Sequence, residues 1–520
     1  MAVDIRGTEI ERIEMIYDGP QKHAAYFHAL LRSFYPGATV KVYGSGEIEG
    51  KKADEQEGAL TLLYNAGADG ALKLTAKDND GSVIFERKAG KATDGQALNE
   101  KEKEERLKHF VYECLCEMTG RHLPWGSLMG VRPTKLAGKW LGEVMRKSEG
   151  ASLRAEIIDR YRRRYDVSEK KAGIATDIAL REYALMESLD LQKGFSLYVG
   201  VPFCPTRCLY CSFTSNSMAS CRQLVGPTLE AMLREIEDAG NEMSGRKPCS
   251  VYFGGGTPTA LDADDLKRLM DKVAESFDLS EVKEYTVEAG RADSITREKL
   301  KVIKEGGAGR ISVNPQTMHE QTLALIGRKA SPAQVEEAFL LAREEGFSHI
   351  NMDLILGLPG ENTQMVEDTL RKVESLGPDS MTVHSLAIKR GSDLHRRMIE
   401  QGVDLSWDTG TAMEKAYESA ERQGLLPYYL YRQKNMTGNL ENVGFAKDGK
   451  FGIYNILVME EVQDVVAIGP GAISKHVKYL PGGSVQIARS ENVRELSEYV
   501  DRQEEMLARK RELFEGLVLQ

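Results

Sequence analysis

Leu197-Tyr-Val-Gly-Val-Pro-Phe-Cys204-Pro-Thr-Arg-Cys208-Leu-Tyr-Cys211 joins a short apolar run to three cysteines spaced C-x3-C-x2-C. The run reads as a buried strand, and the cysteines as a loop at its carboxyl end. Thiolates are the usual protein ligands of iron–sulfur clusters, and close spacing lets one loop wrap a single cluster. Three thiolates on a four-iron cluster leave one iron open to a small-molecule ligand. The loop therefore points to chemistry at the cluster more than to a sealed electron-transfer centre. A zinc loop, or three unrelated thiols, is the competing reading. A structural zinc site takes four protein ligands, however, and the next candidate, Cys221, is not close in sequence.

Downstream of this loop the sequence alternates. Strands are expected near 196–201, 250–253, 284–288, 310–313, 350–356 and 380–385, with helices near 222–241, 261–278, 294–305, 331–345 and 363–376. Six βα-type units in succession imply a parallel sheet with helices outside, closing partly as a TIM-like (β/α)6 barrel. Ligands of such folds gather at the carboxyl ends of the strands, where loops and helix N-termini point. The sequence places its unusual residues there. Gly254-Gly-Gly-Thr-Pro258 follows the second strand, where missing Cβ atoms let a ligand approach the backbone, although a lone glycine triplet is usually only a tight turn. Glu288 is the sole acid in Tyr285-Thr-Val-Glu-Ala-Gly290, Gln316 follows the fourth strand, and Asp353 lies inside Ile350-Asn-Met-Asp-Leu-Ile-Leu356. An acid in an apolar strand needs a partner, either a ligand or a structural hydrogen bond to a loop.

The rest of the chain frames this region. With 520 residues, about three domains are expected. A composition of 41% hydrophobic and 28% charged residues excludes a largely disordered chain, and a net charge of −10 argues against general affinity for nucleic acid or anionic membrane. Neither a signal core nor an apolar run long enough to span a membrane is evident, so a cytoplasmic location is expected. Seven cysteines with three in one loop fit a reducing compartment, and Cys114, Cys116, Cys221 and Cys249 read as ordinary thiols. Residues 1–93 read as a small α+β module with a helix over 22–34 and strands at 38–43, 59–64, 71–75 and 83–87. Residues 94–190 read as a helical connector interrupted at Pro124–Lys135. The barrel is expected over 191–424, and a substrate-covering domain over 425–520. Arg160-Tyr-Arg-Arg-Arg-Tyr165 reads as a solvated helix face.

The cysteine loop, with Tyr210 before its last thiol, and the Gly254–Pro258 segment together resemble the radical S-adenosylmethionine (SAM) enzymes. Tyr198–Cys204, Arg310–Gln316, Ile326-Gly-Arg328 and Asp353–Pro359 resemble the oxygen-independent coproporphyrinogen III oxidase family within them. Gly130-Val-Arg-Pro-Thr-Lys-Leu136 and Tyr428-Tyr-Leu-Tyr-Arg-Gln-Lys-Asn435 resemble its HemZ branch. The resemblance implies a radical SAM barrel with a [4Fe-4S] cluster on Cys204, Cys208 and Cys211, and SAM on the fourth iron. Tyr198 matches a tyrosine beside the cluster, and Tyr210 an aromatic packed on the adenine. Gly255, Gly256 and Thr257 would meet the methionyl end, with Glu288 and Arg328 holding its charges. Gln316 and Asp353 match ribose positions, and Ile355 and Ala387 the adenine pocket.

The implied reaction is radical. A 5′-deoxyadenosyl radical takes hydrogen from a propionate of coproporphyrinogen III, and loss of carbon dioxide and one electron leaves a vinyl group. The expected partners are a tetrapyrrole and an electron donor such as flavodoxin or ferredoxin, with no nucleic acid and no membrane span. Lys389, Arg390, Arg432 and Lys434 are candidates to meet the propionates, or ordinary surface bases. Phe213 departs from the better-known branch, which carries a further cysteine there; the haem-chaperone branch also lacks it. A haem-binding transfer protein therefore stands as the alternative function.

Overall fold

The computed structural model describes residues 10–17, 21–35, 37–44, 59–66, 71–90, 99–130, 132–145, 153–387, 393–394, 396, 408–432, 440–481 and 484–516. They fall into two compact units, one reaching Asp177 and taking in Arg432, the other running from Ile178 to Tyr431 and onward from Leu440.

The first unit holds β1 (Arg12–Tyr17), α1 (Ala24–Phe34), β2 (Thr39–Gly44), β3 (Ala59–Ala66), β4 (Leu72–Lys77) and β5 (Val83–Ala89). These strands form one sheet in the order β2-β1-β3-β4-β5, with β1 parallel to both of its neighbours. The interior strand β1, between β2 and β3, is not among the strands expected from sequence. Its Ile13, Met15 and Tyr17 are buried beside Leu62, Leu74, Phe27 and Phe110. Helix α2 (Glu100–Thr119) starts at an Asn99 and Glu102 capping box and ends at Gly120, whose φ of 64° suits a residue without Cβ. Helices α3 (Pro133–Met145) and α4 (Leu153–Tyr165) follow, and α5 (Glu169–Glu187) leads into the second unit. The arginines of α4 behave as a solvated helix face: Arg160 pairs with Glu143 and Glu156, and Arg162 with Glu169.

The second unit opens with β6 (Phe195–Val201), α6 (Met218–Glu242), β7 (Pro248–Gly255), α7 (Ala263–Ser276), β8 (Glu284–Gly290), α8 (Arg297–Glu305) and β9 (Arg310–Val313). After these come α9 (Glu320–Leu325), α10 (Pro332–Glu344), β10 (Ile350–Leu356), α11 (Thr363–Leu376) and β11 (Ser380–Ser385). Strands β6 to β11 run parallel in sequence order, the expected (β/α)6 arrangement. Local signals set the helix ends. Asp262, Thr296, Ser331 and Asn362 each accept an N-terminal amide of the following helix, and Pro332 occupies the first turn of α10.

The C-terminal region extends both edges of this sheet. After α12 (Thr409–Arg422), β12 (Leu426–Tyr431) and β13 (Asn442–Ala446) add antiparallel strands beside β11. After α13 (Ile453–Glu460), β14 (Asp464–Ile468) pairs parallel with β6, followed by antiparallel β15 (Ile473–Tyr479) and β16 (Val485–Glu491). Helices α14 (Leu496–Asp501) and α15 (Gln503–Phe514) close the chain's described part. The result is an eleven-stranded open sheet in the order β12-β13-β11-β10-β9-β8-β7-β6-β14-β15-β16. Among the described residues no helix is long and apolar enough to cross a membrane.

Side-chain alternation positions the site. Phe195, Leu197, Val199, Val251, Phe253, Val287, Ile311, Met352, Leu354 and Met381 are buried on one face of the barrel strands. The opposite face carries Ser196, Tyr198, Ser250, Tyr252, Glu284, Thr286, Glu288, Arg310, Ser312, Asn351, Asp353, Thr382 and His384. Register aligns these polar residues strand to strand, as in Tyr198 with Tyr252 and Asp353 with Thr382. Ser250 Oγ donates to Ser196 Oγ at 2.8 Å, and Thr382 Oγ1 to Asn351 Oδ1 at 3.2 Å. Hydrogen bonding to one another offsets the cost of burying them.

Candidate functional site

The cysteine loop leaves β6 and returns at once, pairing Phe203-Cys204 with Asn216-Ser217. Its three thiols are free, and each has a different neighbour. Cys204 Sγ lies 3.3 Å from Thr257 Oγ1, Cys211 Sγ lies 3.5 Å from Ser215 Oγ, and Arg291 Nη1 donates to Cys208 Sγ at 3.5 Å. Burial pushes the Cys204 thiol up to about 11, with the Thr257 hydroxyl opposing. Backbone bonds fasten the loop: Leu209 N donates to Ile326 O at 3.1 Å, and Cys211 N to Cys208 O at 3.1 Å. Among the described residues no three His, Cys, Asp or Glu side chains are gathered as a metal set.

The glycine segment lies against that loop. Gly256 N donates to Val201 O and Thr257 N to Phe203 O, both at 2.7 Å. A Cβ on Gly256 would stand 2.4 Å from Phe203 O, and Gly255 has φ +94° with Gly200 Cα, Val201 O and Tyr198 Oη all 3.2 Å from its Cβ position. Glycine is required here so that two strand ends can touch. Tyr198, Tyr252 and Tyr454 form a stack, with centroids 6.3 Å apart for Tyr198 and Tyr252 and 4.4 Å for Tyr252 and Tyr454. The Tyr252 hydroxyl donates to Glu288. Burial pushes the Glu288 carboxyl up to about 7; the Tyr252 hydrogen bond opposes this and the nearby Asp353 adds to it.

On the other side, Gln316 adopts φ +67°, its N–H donates to Asp353 O at 2.9 Å, and its carbonyl accepts from Ile355 N at 3.0 Å. These bonds bridge Gln316 to β10 outside any strand. Asn351 Nδ2 donates to Asp353 Oδ1 at 2.7 Å, and His384 Nε2 stands 3.9 Å from Asp353 Oδ2. Burial works against the Asp353 charge, but His384, Asn351 and Thr382 together hold the carboxyl below its ordinary value. Ile355 packs with Leu323, Ile326, Leu358, Leu386 and Leu394, and Leu209 and Tyr210 of the cysteine loop join that cluster. Ala387 follows it in sequence and is half-buried. Arg328 donates to Asn314 O. Burial opposes the Arg328 charge, while Tyr210 and Cys208 hold it protonated.

The expected site residues thus come from β6 to β11, six strands and the segments that follow them. Thr257 contacts the cysteine loop at Cys204, and Ile355 packs in the cluster that Leu209 and Tyr210 of the loop join. Two buried polar atoms here have no partner: Gln316 Oε1 and Arg328 Nε. An orphaned acceptor, an orphaned cationic donor and an apolar wall suit SAM, which brings hydroxyls, a carboxylate, an ammonium and an adenine; the Cβ directions of Gly255 and Gly256 are taken up by the chain itself and not by open ligand space. Three thiols in one loop suit a cluster with an open iron.

Sequence reasoning missed Arg291, Tyr252, Tyr454 and His384. Tyr252 and His384 were legible only as inward positions of period-two strands, while Tyr454 comes from a helix after β13. Lys389, Arg390 and Lys434 lie outside the described residues. Arg432 is 4% exposed; its guanidinium donates to Leu128 O and lies 5.7 Å from the Trp125 ring, so the chain already uses that charge.

A family model described as the radical SAM superfamily matches residues 198–373. The "Oxygen-independent coproporphyrinogen-III oxidase-like protein HemZ" of Bacillus subtilis is 39% identical over 388 residues, 73% of this chain and 76% of that protein. The "Heme chaperone HemW" of Lactococcus lactis is 34% identical over 199 residues, 38% of this chain and 51% of that protein. Among solved structures, the Escherichia coli coproporphyrinogen III oxidase (HemN) aligns with 62% of this chain and 73% of its own, at 22% identity and TM-score 0.49.

Proposed function

The chain belongs to the HemZ and HemN family of radical SAM proteins, and on that premise we propose that it is an oxygen-independent coproporphyrinogen III dehydrogenase. It would convert propionate side chains to vinyl groups, giving protoporphyrinogen IX. The observation that carries this reading is the reach of the HemZ-like relative. Its similarity covers 73% of the chain at 39% identity, whereas the haem chaperone of Lactococcus lactis matches 38% and that of Haemophilus influenzae 54% at 28% identity.

Cys204, Cys208 and Cys211 would hold a [4Fe-4S] cluster, and SAM would lie across the glycine segment. When bound, these groups supply a hydrogen-atom acceptor strong enough for an unactivated C–H bond. The chain's own residues bind and orient. Gly255, Gly256 and Thr257 present backbone to the methionyl end; Glu288 takes its ammonium and Arg328 its carboxylate. Gln316 and Asp353 accept the ribose hydroxyls, and Tyr210, Ile355 and Ala387 hold the adenine out of water. For each propionate, one hydrogen atom leaves the carbon chain, the carboxylate departs as carbon dioxide, and one further electron passes to an acceptor. A flavodoxin- or ferredoxin-like protein would supply the reducing electron, in a cytoplasmic setting.

Phe213, 67% exposed where the better-known branch has cysteine, favours the second reading, haem binding and transfer. Anaerobic incubation of reconstituted protein with SAM, dithionite and coproporphyrinogen III separates the two. Protoporphyrinogen together with 5′-deoxyadenosine is expected. Stoichiometric haem binding with neither product would overturn the dehydrogenase reading.

A further inference from the structure

Arg291, the residue after β8, is 3% exposed, and all five N–H groups of its guanidinium have acceptors. Nε donates to Asp293 Oδ1 at 2.9 Å and Nη2 to Asp293 Oδ2 at 2.7 Å. The second Nη2 hydrogen reaches Thr206 Oγ1 at 3.0 Å, and Nη1 reaches Thr206 O at 3.2 Å and Cys208 Sγ at 3.5 Å. Thr206 Oγ1 in turn donates to Gly327 O at 2.9 Å. One side chain therefore ties the third strand's end to the cysteine loop, and through it to the turn that carries Arg328.

We infer that Arg291 is a positioning residue for the cysteine loop that gives Cys208, alone of the three thiols, a cationic hydrogen-bond donor, making the three ligand positions of a bound cluster unequal. Among the described residues the hydrogen-bond neighbours of Cys204 and Cys211 are neutral hydroxyls, Thr257 and Ser215, while the Arg328 guanidinium also acts on Cys208. Donors and positive charge next to a ligand sulfur favour the electron-rich state of a cluster, raising its reduction potential. Asp293 both aims the guanidinium and offsets its charge. Removing each member of the pair should therefore move the potential in opposite directions. Methionine at 291 removes the donor and the cation; asparagine at 293 leaves the cation and removes its counter-charge. This inference rests on the cluster assignment within the proposed function and not on the identity of the tetrapyrrole.

The test uses the full-length chain, reconstituted anaerobically with iron and sulfide, without SAM or tetrapyrrole. Iron and sulfide content and the midpoint potential from an EPR-monitored titration are compared among wild type, Arg291→Met, Arg291→Lys and Asp293→Asn. A more negative potential in Arg291→Met, partial return toward wild type in Arg291→Lys and a more positive potential in Asp293→Asn are expected. Wild-type potentials in both Arg291→Met and Asp293→Asn overturn the inference. If Arg291→Met does not fold, an unchanged potential in Asp293→Asn overturns it by itself. Product formation from coproporphyrinogen is not part of the readout, so failure here is separate from failure of the dehydrogenase reading.

Discussion

Replacing Lys510 with methionine should loosen the C-terminal helices by a predictable amount. Glu235 on α6 is 1% exposed and the Lys510 side chain 3%. The Glu235 carboxylate accepts four donors: Lys510 Nζ, Asn492 Nδ2 at 2.7 Å, Tyr499 OH at 2.5 Å and Gly469 N at 2.8 Å. Lys510 also donates to Ala467 O at 2.6 Å. Methionine fills most of the lysine stem's volume, so the cavity cost is small, but the carboxylate is left buried without its counter-ion. Breaking a buried pair by removing one member costs about 3–5 kcal/mol. At about 1.4 kcal/mol per tenfold, amides of α15 that exchange through this opening should lose protection by about 100- to 4,000-fold. Hydrogen exchange followed by mass spectrometry reads this directly. Glu235→Gln in the same chain removes the stranded charge and should recover a large part of the loss. Protection of α15 in Lys510→Met within about threefold of wild type, or a double variant no better than the single, would refute the reasoning. The clamp also bears on the site, because it holds the turn after β14. A Cβ on Gly469 would lie 2.3 Å from Gly200 O, and one on Gly471 2.3 Å from Thr214 Oγ1, within the loop that carries the cysteines.

Three further outcomes are expected. Asp353→Ala should weaken SAM binding by about 10- to 100-fold, the worth of charge-assisted hydrogen bonds to hydroxyls, with iron content unchanged in parallel assays; unaltered affinity by calorimetry removes the ribose assignment. Because burial raises the Glu288 carboxyl from 4.5 to about 7, the folded chain keeps a proton that the unfolded chain has released across that window. Stability due to this group therefore falls as pH rises from 4.5 to 7 and is level above it, and a urea-denaturation pH series should show that slope reduced in Glu288→Gln. The same ionisation should tighten binding of the SAM ammonium between about pH 6 and 8 in wild type only. Gly256→Ala must displace the Phe203 carbonyl, 2.4 Å from the new methyl. A loss of about 1–3 kcal/mol in urea unfolding is expected, with reduced iron uptake.

The barrel was legible because its signals are local. Each strand of β6 to β11 lies within two residues of its expected span, since the apolar runs are short and the helices between them begin at residues such as Ser331 and Asn362 that cap from their own sequence. Glu288, Gln316 and Asp353 stood out as polar residues at the ends of such runs, and the structure gathers them. What stayed hidden depends on partners distant in sequence. Arg12-Ile-Glu-Met-Ile-Tyr17 alternates at period two, but its charged positions mask it, and its place inside the sheet follows only from β2 and β3. Asp464–Ile468 reads as an apolar run whose partner, β6, lies some 270 residues earlier; nothing local says that it joins that edge. Arg291 did not stand out, because an arginine's burial is set by what encloses it, here Thr206 and Asp293.

The charge on the inward face decides how far the site can be extended to the proposed substrate. Glu284, Glu288 and Asp353 face inward with Arg310, whose Nε donates to His349 Nε2 at 3.3 Å. Asp353 and Arg310 both act on Glu288, so these groups share one electrostatic neighbourhood. Thr286 Oγ1 donates to Glu284 Oε1 at 3.0 Å, and Ile453 N donates to Glu284 Oε2, which binds that acid into the fold. A surface with more carboxylates than guanidinium groups favours the sulfonium and ammonium of SAM, and opposes a tetrapyrrole bearing four propionates. Both ligands must meet for hydrogen transfer, yet only one fits this charge. On the proposed function, SAM would lie against the inner acids. A tetrapyrrole substrate, if the proposed function holds, would keep most of its carboxylates away from this face.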